Sequence, residues 1–190
     1  MNDLDTDKQY FAYLQKRSKL GHLYRRHWLY PRLCRELSGR VLDVGCGIGD
    51  MLRFRPGTVG VDINRETVAA CRAAGLDAHL MQPDVLPFAA HSFNGVVLDN
   101  VLEHLASPGP LLAEVLRVLQ PSGKLLVGVP GPRGYRADPD HKVFYDRPAL
   151  VARLSAAGFG CERILQLPLS LPGLGEAMKS LCLYGVFSPQ

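Results

Sequence analysis

The feature that most constrains the fold of this chain is a short apolar segment that leads directly into a glycine-rich turn. Its residues are Val41-Leu42-Asp43-Val44-Gly45-Cys46-Gly47-Ile48-Gly49. A strand that enters such a turn and continues into a helix is where open sheets of parallel strands bind nucleotides. Glycine lets the backbone approach a ligand closely because it carries no Cβ. The segment therefore predicts an α/β domain with a ligand site at the carboxyl end of this strand.

After residue 40 the sequence alternates between segments typical of strands and segments typical of helices. We predict strands at Arg40–Val44, Thr58–Val61, Asp77–Met81, Phe93–Leu98, Lys124–Val129, Cys161–Leu167 and Leu181–Phe187. Helices are predicted at Glu66–Ala74, around Val101, Leu102 and Leu105, and at Leu111–Leu119 and Pro148–Ala157. Parallel neighbours need crossover helices, so the pattern predicts an α/β fold: a Rossmann-like, mostly parallel seven-stranded sheet flanked by helices.

The two ends of the chain are predicted to differ from this repeating pattern. Residues 1–39 form an N-terminal helical lid or packing segment, and residues 40–190 form the α/β domain. The final residues, Met178–Gln190, are expected to form an antiparallel C-terminal strand at the edge of the sheet. Pro130–Asp140 is dense in Gly, Pro and Arg and is predicted to be a loop.

The N-terminal segment is predicted to be helical over residues 8–38, with Gly21 and Pro31 dividing it into shorter pieces. Its apolar face holds Tyr10, Tyr13, Leu14, Leu20, Tyr24 and Trp28, and its opposite face holds Lys16, Arg17, Lys19, Arg25, Arg26, Arg32 and Arg35. One interpretation is a packing helix with a solvated basic face. The other is peripheral contact with an acidic lipid membrane or a phosphorylated substrate.

Composition excludes several classes of protein. The formal charge of +4 is only mildly basic and falls well short of a nucleic-acid-binding protein, which would need its basic residues concentrated on one face. The five cysteines form no Cys-x-x-Cys pair, which argues against a zinc site or a disulfide framework and favours a cytoplasmic protein with reduced thiols. The N-terminus lacks the apolar stretch of a signal peptide, and no apolar run is long enough to span a bilayer.

The spacing of the glycines distinguishes between two classes of ligand. Asp50 stands where a dinucleotide fingerprint needs its last glycine, which argues against a nicotinamide-dependent oxidoreductase. Asp43 places a carboxylate just before the turn, where it is poorly suited to a polyphosphate. It suits a ligand that bears an amino group and a sulfonium charge.

These residues, together with later motifs in the same order, resemble the class I S-adenosylmethionine-dependent methyltransferases, especially the small type 11 members. The resemblance covers residues 40 to about 160 and implies S-adenosylmethionine as cofactor and S-adenosylhomocysteine as product. It implies that Asp43, Gly45, Cys46, Gly47 and Gly49 surround the methionine part of the cofactor.

The resemblance also implies contacts with the nucleoside part of the cofactor. Asp62, followed by Ile63, ends the second strand and is implied to accept hydrogen bonds from the ribose hydroxyls. The alternative for Asp62 is a helix N-cap. Met81, Gln82 and Pro83 are implied to edge the adenine, although Gln82 stands where the family usually has an aspartate, and Pro83 has no N–H to donate.

The segment from Phe93 to Leu105 resembles the family's fourth-strand motif. It implies that Asp99, Asn100 and His104 line the cofactor and face the substrate. Some relatives that methylate phenolic quinone precursors bind a divalent cation here through acidic residues and a histidine. Glu103 and His104 match that pattern, but Asn100 replaces an expected acid, so we predict no bound metal.

The long segment after the fifth strand holds the candidate proton acceptor. His141 is predicted to be the general base, because an unperturbed imidazole titrates near neutral pH. Arg133, Arg136, Lys142 and Tyr145 are predicted to position a polar or anionic acceptor. The alternative is that His141 and the neighbouring aspartates only tie this loop to the sheet.

The sequence thus predicts methyl transfer to an oxygen or nitrogen atom of a small molecule, a sugar or a lipid-linked glycan. The alternatives are a non-catalytic protein that binds S-adenosylmethionine or a protein partner, and a nicotinamide-dependent oxidoreductase.

Overall fold

The computed structural model describes residues 7–9, 11–12, 14, 19–168 and 181–190. The described residues form one sheet of seven strands. The strands are β1 (Val41–Val44), β2 (Val59–Asp62), β3 (Ala78–Leu80), β4 (Phe93–Asp99), β5 (Leu119–Pro130), β6 (Phe159–Leu167) and β7 (Cys182–Pro189). Each lies within a few residues of a predicted strand, except that β5 begins before the Pro121-Ser122-Gly123 turn. That turn forms an irregularity in the pairing of β5 with β4.

The strand order is β3-β2-β1-β4-β5-β7-β6. Strands β1 to β5 are parallel, and β7 runs antiparallel to both β5 and β6. The predicted fold class and the reversed last strand are therefore confirmed. The predicted edge position of the last strand is wrong, because β7 lies between β5 and β6, and β6 is the edge. Residues 169–180, where that predicted strand was to begin, lie outside the described part.

Helices connect the strands and cover the sheet. They are α1 (Lys19–Tyr24), α2 (Tyr30–Leu33), α3 (Asp50–Phe54), α4 (Arg65–Ala73), α5 (Gly109–Val118), α6 (Pro132–Arg136) and α7 (Arg147–Ser155). Side-chain caps account for the starts of two helices. The side chain of Asn64 accepts hydrogen bonds from the backbone N–H groups of Glu66 and Thr67 at the start of α4. The side chain of Asp146 accepts one from the backbone N–H of Ala149 at the start of α7. No helix among the described residues combines the length and apolar composition needed to cross a membrane.

The N-terminal helical segment is continuous from residue 19 to residue 36. A π-helical turn (Arg25–Leu29) links α1 to α2, and a 3₁₀ turn (Cys34–Glu36) follows. Gly21 lies inside α1, and Pro31 lies in the first turn of α2, shortly after the π-helical turn. The predicted division at these residues is therefore wrong. Tyr10, Tyr13, Lys16 and Arg17 lie outside the described residues, as does the side chain of Lys19.

Alternation along the central strands produces a core on both faces of the sheet. Leu42, Val44, Val96 and Leu98 belong to one buried cluster, which α5 and α7 cover. Val41 and Val97, which face the other side of the sheet, belong to a second cluster with Leu29, Tyr30 and Leu33 of the N-terminal helical segment. This two-sided burial is what a parallel sheet requires, and it leaves the carboxyl ends of β1 and β4 as the accessible edge.

One further prediction fails in this part of the chain. Pro130–Asp140, predicted as a loop, contains helix α6. Pro132 lies at the start of this helix, where proline is favoured because its φ is already helical. The helix brings the end of the segment back toward the sheet.

Candidate active site

A cleft of about 500 Å³ opens at the carboxyl ends of β1 and β4, beneath the N-terminal helical segment. Eight residues predicted to be functional line it: Asp43, Gly45, Cys46, Gly47, Asp99, Asn100, His104 and His141. Residues far apart in sequence meet here because the parallel strands all end at the same edge of the sheet.

The glycine turn forms the floor of the cleft. The backbone N–H groups of Gly45 and Cys46 donate to the carbonyl of Val61, at 2.8 and 3.0 Å. Gly45 adopts a φ of +75°, and a Cβ built on it would lie 2.7 Å from Cγ2 of Val101. Both the left-handed backbone and the close approach require glycine at this position.

Asp62 joins the end of β2 to the glycine turn. Its Oδ2 accepts from the N–H of Gly47 at 2.8 Å, and its Oδ1 accepts from the N–H of Asn64 at 2.9 Å. Burial raises the pKa of Asp62, and these backbone hydrogen bonds partly offset that rise. The cap of α4 is Asn64 and not Asp62, so the N-cap alternative for Asp62 is wrong.

The floor of the cleft is strongly acidic. Asp43 is buried at the end of β1, and burial raises its pKa well above its ordinary value. The negative charges of Asp99 and Asp62 raise it further. Like charges brought together in a buried site favour a cationic ligand, since a cation stabilises the ionised carboxylates.

The wall of the cleft is built around the carboxylate of Asp99. Its Oδ1 accepts from the hydroxyl of Tyr184 at 2.9 Å and from the amide of Asn100 at 3.0 Å. A Cβ on Gly128 would lie 2.4 Å from the ring of Tyr184 and 2.6 Å from Oδ1 of Asp99. Gly128 therefore makes room for this contact between β4 and β7.

The roof includes Arg25, a residue of the predicted basic face of the N-terminal segment. Arg25 lines the cleft and interacts with Tyr30, so the interpretation of a solvated face is wrong for this residue. Burial opposes the charge of Arg25, but the negative charge of Asp99 and the two nearby tyrosines raise the pKa of the guanidinium overall. Arg32, also predicted on that face, instead packs over the ring of Trp28 at 3.7 Å.

One end of the cleft holds two histidines and a buried carboxylate. The Nδ1 of His141 lies 2.9 Å from the carbonyl of Tyr135, and the rings of His141 and His104 lie 4.7 Å apart. Nε2 of His141 lies 3.9 Å from Oε1 of Glu103 and also 3.9 Å from Oδ2 of Asp138. Backbone hydrogen bonds from Lys142 and Val143 to the carbonyl of Glu103 hold this loop in place.

The titration behaviour of this end follows from its burial. Burial raises the pKa of Glu103 to about 8, although its own backbone N–H offsets part of the rise. Burial also lowers the pKa of His104, and the neighbouring ring of His141 lowers it further. Both effects favour the neutral form of the His104 imidazole.

The remaining predicted cofactor residues, which include Asp62, do not line the cleft. Gly49 precedes α3 in a left-handed conformation, Ile63 is 60% exposed, and Met81 is buried in the core. Gln82 and Pro83 lie in an exposed turn just after β3. Their predicted contacts with ribose and adenine remain predictions.

The four residues predicted to position the acceptor do not lie together in the cleft. Arg133, Arg136 and Lys142 are exposed and do not line the cleft. Tyr145 is buried in the core beneath α5 and α7, so its predicted role at the acceptor is wrong.

Sequence analysis did not predict three features of this region: the position of Arg25 in the cleft, the burial of Glu103 and the contact of Tyr184 with Asp99. The basic pattern of the N-terminal segment did not indicate that Arg25 faces the cleft. The apolar pattern of the last strand did not indicate that Tyr184 reaches it. Glu103 was noticed, but only the structure shows that it is fully buried.

A Rossmann-like sheet with this strand order, a glycine turn after β1 and an acidic cleft above it define a nucleoside-binding class of protein. Comparison with known proteins agrees. A family model described as a methyltransferase domain matches residues 42–127. This match spans less than half of the chain and supports a class I S-adenosylmethionine-dependent methyltransferase.

Relatives of known sequence are moderately similar. The "Probable S-adenosylmethionine-dependent methyltransferase" of Mycolicibacterium smegmatis is 32% identical over 162 residues, which cover 76% of this chain and 62% of that protein. The trans-aconitate 2-methyltransferase of an Azoarcus species is 28% identical over 159 residues, which cover 80% and 60%. The chain therefore spans about three-fifths of the length of these two relatives.

Solved structures share the fold. A Thermotoga maritima protein described as an S-adenosylmethionine-dependent methyltransferase, possible histamine N-methyltransferase, superposes with a TM-score of 0.75 at 19% identity. The match covers 96% of this chain and 99% of that one. At this identity the likeness establishes the fold alone.

Proposed function

We propose that this chain is a methyltransferase that binds S-adenosylmethionine in the cleft and transfers its methyl group to an oxygen or nitrogen atom of a small molecule. The observation that carries the proposal is the glycine turn beneath an acidic cleft. The turn leaves no room for a Cβ at Gly45. Burial and the neighbouring carboxylates raise the pKa of Asp43, and a cationic ligand would lower that pKa again. The amino group and sulfonium of the cofactor meet both conditions.

The cofactor supplies a methyl group on a sulfonium: the acceptor atom forms a bond to the methyl carbon as the sulfur–carbon bond breaks, which leaves S-adenosylhomocysteine. Asp43 and the turn residues Gly45 and Gly47 hold the donor at the floor. Asp99, whose carboxylate accepts a hydrogen bond from the hydroxyl of Tyr184, orients the ligand beside it. Alignment of donor and acceptor in a cleft that excludes water supplies a large part of the rate.

A proton must leave an acceptor that attacks through a hydroxyl or a protonated amine. His141 lines the cleft, and its Nδ1 faces the carbonyl of Tyr135. That contact favours a proton on Nδ1 and a free lone pair on Nε2. His141 is therefore our candidate for the group that accepts the acceptor's proton.

The roof of the cleft supports a polar or anionic acceptor. Arg25 places a guanidinium over the cleft and lies close to Asp99. The relative that methylates trans-aconitate acts on a carboxylate, which is the chemistry that a guanidinium binds best. A sugar or lipid-linked acceptor, and contact of the N-terminal helices with acidic lipid, remain predictions. Leu20 and Leu23 of α1 are exposed beside the basic residues.

Methyl transfer can be tested with labelled cofactor. The purified chain is incubated with methyl-labelled S-adenosylmethionine and a panel of small carboxylates, phenols, sugars and amines. We expect a labelled product together with S-adenosylhomocysteine for at least one class. His141→Gln should lower kcat by about 100-fold while cofactor affinity is kept, since general-base groups typically contribute this much.

His79→Gln is the matched control, because His79 pairs with Asp77 on an exposed surface away from the cleft. It should leave kcat unchanged. Cofactor binding without transfer to any class of acceptor would favour the non-catalytic binding protein. Equal effects of the two histidine substitutions on kcat would exclude a specific role for His141.

A further inference from the structure

Two cysteines lie close together at the glycine turn. Cys46 belongs to the turn itself and lines the cleft, whereas Cys71 lies in α4, and both belong to the same small buried cluster. The thiol of Cys71 donates to the carbonyl of Gly47 at 3.4 Å, so it contacts the residue that directly follows Cys46. The two cysteine side chains are also hydrogen-bond partners of each other. Both thiols are free in this structure.

Glycines beside the pair leave room for the two sulfur atoms. A Cβ built on Gly60 of β2 would lie 2.8 Å from Sγ of Cys46, and one built on Gly49 would lie 2.9 Å from Sγ of Cys71. The backbone of the turn and of β2 therefore packs directly against both sulfurs. In a close-packed interior, a change in the positions of the sulfurs must move this backbone.

The surroundings of the pair favour a thiolate on one of the two sulfurs. The hydrogen bond with Cys46 lowers the pKa of the Cys71 thiol, and the positive charge of Arg53 lowers it as well, although burial opposes both effects. The same hydrogen bond and burial raise the pKa of Cys46. Apolar burial alone would have raised the pKa of both thiols and made them inert. A thiolate beside a thiol and a cation is the form of cysteine that reacts with oxidants.

The cleft gives a small oxidant access to the pair. Cys46 is 7% exposed and lines the cleft, whereas Cys71 has no exposed surface. A molecule the size of hydrogen peroxide therefore reaches the two sulfurs from the side on which the cofactor is proposed to bind. Cys71 needs no solvent contact of its own to form a bond with Cys46.

We propose that Cys46 and Cys71 are a modification site, at which a peroxide converts the two thiols into a reversible disulfide that weakens cofactor binding. The thiolate attacks one peroxide oxygen, the O–O bond breaks, and a sulfenic acid and hydroxide form. The second thiol attacks the sulfenic sulfur, so that an S–S bond forms, the S–O bond breaks and water leaves. The two sulfurs lose two electrons in all. The peroxide becomes two molecules of water once the hydroxide takes up the proton that the first thiol released.

The disulfide would act on the cofactor through the glycine turn. A disulfide holds its sulfurs about 2.05 Å apart, which is closer than two thiols in contact can lie. Cys46 must therefore move toward α4, and its neighbours Gly45 and Gly47 move with it. The N–H of Gly47 donates to the carboxylate of Asp62 at 2.8 Å, so the shift also disturbs that contact. This effect rests on the proposed cofactor site, whereas disulfide formation is measured without cofactor.

The test begins with the reduced full chain and hydrogen peroxide. We expect peptide mapping without reductant to find Cys46 joined to Cys71 with the loss of two hydrogen atoms, and dithiothreitol to reverse the change. Calorimetry should show that the oxidised chain binds S-adenosylmethionine about fivefold or more weakly, with recovery after reduction.

Cys71→Ser is the decisive variant, because Cys71 does not line the cleft and a serine hydroxyl can keep the hydrogen bond to Gly47. When reduced, it should bind S-adenosylmethionine as the parent does, and peroxide should no longer weaken its binding reversibly. If this variant does not fold, Cys71→Ala takes its place. Cys161→Ser is the matched control: Cys161 is an exposed free thiol on β6, so its loss should leave the response of the parent unchanged.

Three results would overturn the proposal. They are the absence of a disulfide between Cys46 and Cys71 in the peroxide-treated parent, a disulfide that leaves the affinity unchanged, and an equal loss of affinity in the parent and Cys71→Ser. A chain that forms the disulfide but does not bind S-adenosylmethionine when reduced would support the modification site and contradict the proposed function.

Discussion

At the scale of single residues, the floor of the cleft is defined by a buried carboxylate that has other carboxylates as neighbours. Asp43 lies near the end of β1, where burial raises its pKa and the charges of Asp99 and Asp62 raise it further. Such a site lowers the stability of the ligand-free protein and increases its affinity for a cation. The carboxylate of Asp43 therefore favours ligand binding but lowers the stability of the ligand-free fold.

Asp43→Asn should raise the unfolding temperature of the cofactor-free chain and weaken S-adenosylmethionine binding by about tenfold or more. A carboxyl whose pKa is higher in the folded chain stabilises the fold at low pH, and that contribution is lost as pH rises through the raised pKa. The advantage of the variant should therefore grow as pH rises above about 4, the ordinary pKa of an aspartate, and through the raised pKa of Asp43. Thermal unfolding at several pH values, with calorimetry for affinity, measures both effects. A difference independent of pH would contradict this account of Asp43.

The site residues that sequence reasoning found are those whose position follows from a strand end. Asp43, Asp99 and Asn100 come directly after apolar runs, so their convergence could be foreseen. Arg25 could not, because its side chain direction depends on how the N-terminal helices pack. The burial of Glu103 could not be foreseen either, because it depends on the segment around His141 folding back over it.

At the scale of elements, the insertion of β7 between β5 and β6 matters most for the cleft. It places Tyr184 against Asp99 at the end of β4. Gly128 of β5 makes the approach feasible, since a Cβ there would lie 2.4 Å from the Tyr184 ring. The wall of the cleft thus depends on the last strand of the chain.

Gly128→Ala should lower the free energy of unfolding by about 1–3 kcal/mol, the usual cost of overpacking in a core. It should also weaken cofactor binding, because Asp99 must move. Gly109→Ala is the matched control: a Cβ at Gly109 meets nothing within 4 Å, so the free energy of unfolding should stay within about 1 kcal/mol of the parent. Chemical denaturation measures both variants. Equal stability of Gly128→Ala and the parent would show that β5 and β7 adjust freely here.

Most elements were predictable because periodicity and turn residues specify them locally. The strands from β1 to β4 and helices α4, α5 and α7 were found within a few residues, and β5 was found apart from its earlier start. The order of the last strands was not, because an apolar run does not encode which neighbours it pairs with. Helix α6 was missed because its proline and glycine are typical of loops, although Pro132 is well placed as a helix start.

At the scale of the whole molecule, one sheet edge collects three kinds of chemistry. The glycine turn and acids lie at the floor, Arg25 and the N-terminal helical segment form the roof, and the histidine–carboxylate group lies at one end. The parallel strands hold the floor rigidly because they are buried on both faces. The molecule thus offers a fixed donor site beneath a wall and roof built from its two terminal segments.

The most direct test of this account is calorimetric titration of the purified chain with S-adenosylmethionine, S-adenosylhomocysteine and, separately, NAD. The account predicts that the first two bind, that NAD does not, and that Asp43→Asn weakens binding of S-adenosylmethionine more than that of S-adenosylhomocysteine. The asymmetry is expected because only S-adenosylmethionine carries the sulfonium charge. No heat and no thermal shift with S-adenosylmethionine would contradict the central claim, and the family relationship would then describe the fold alone.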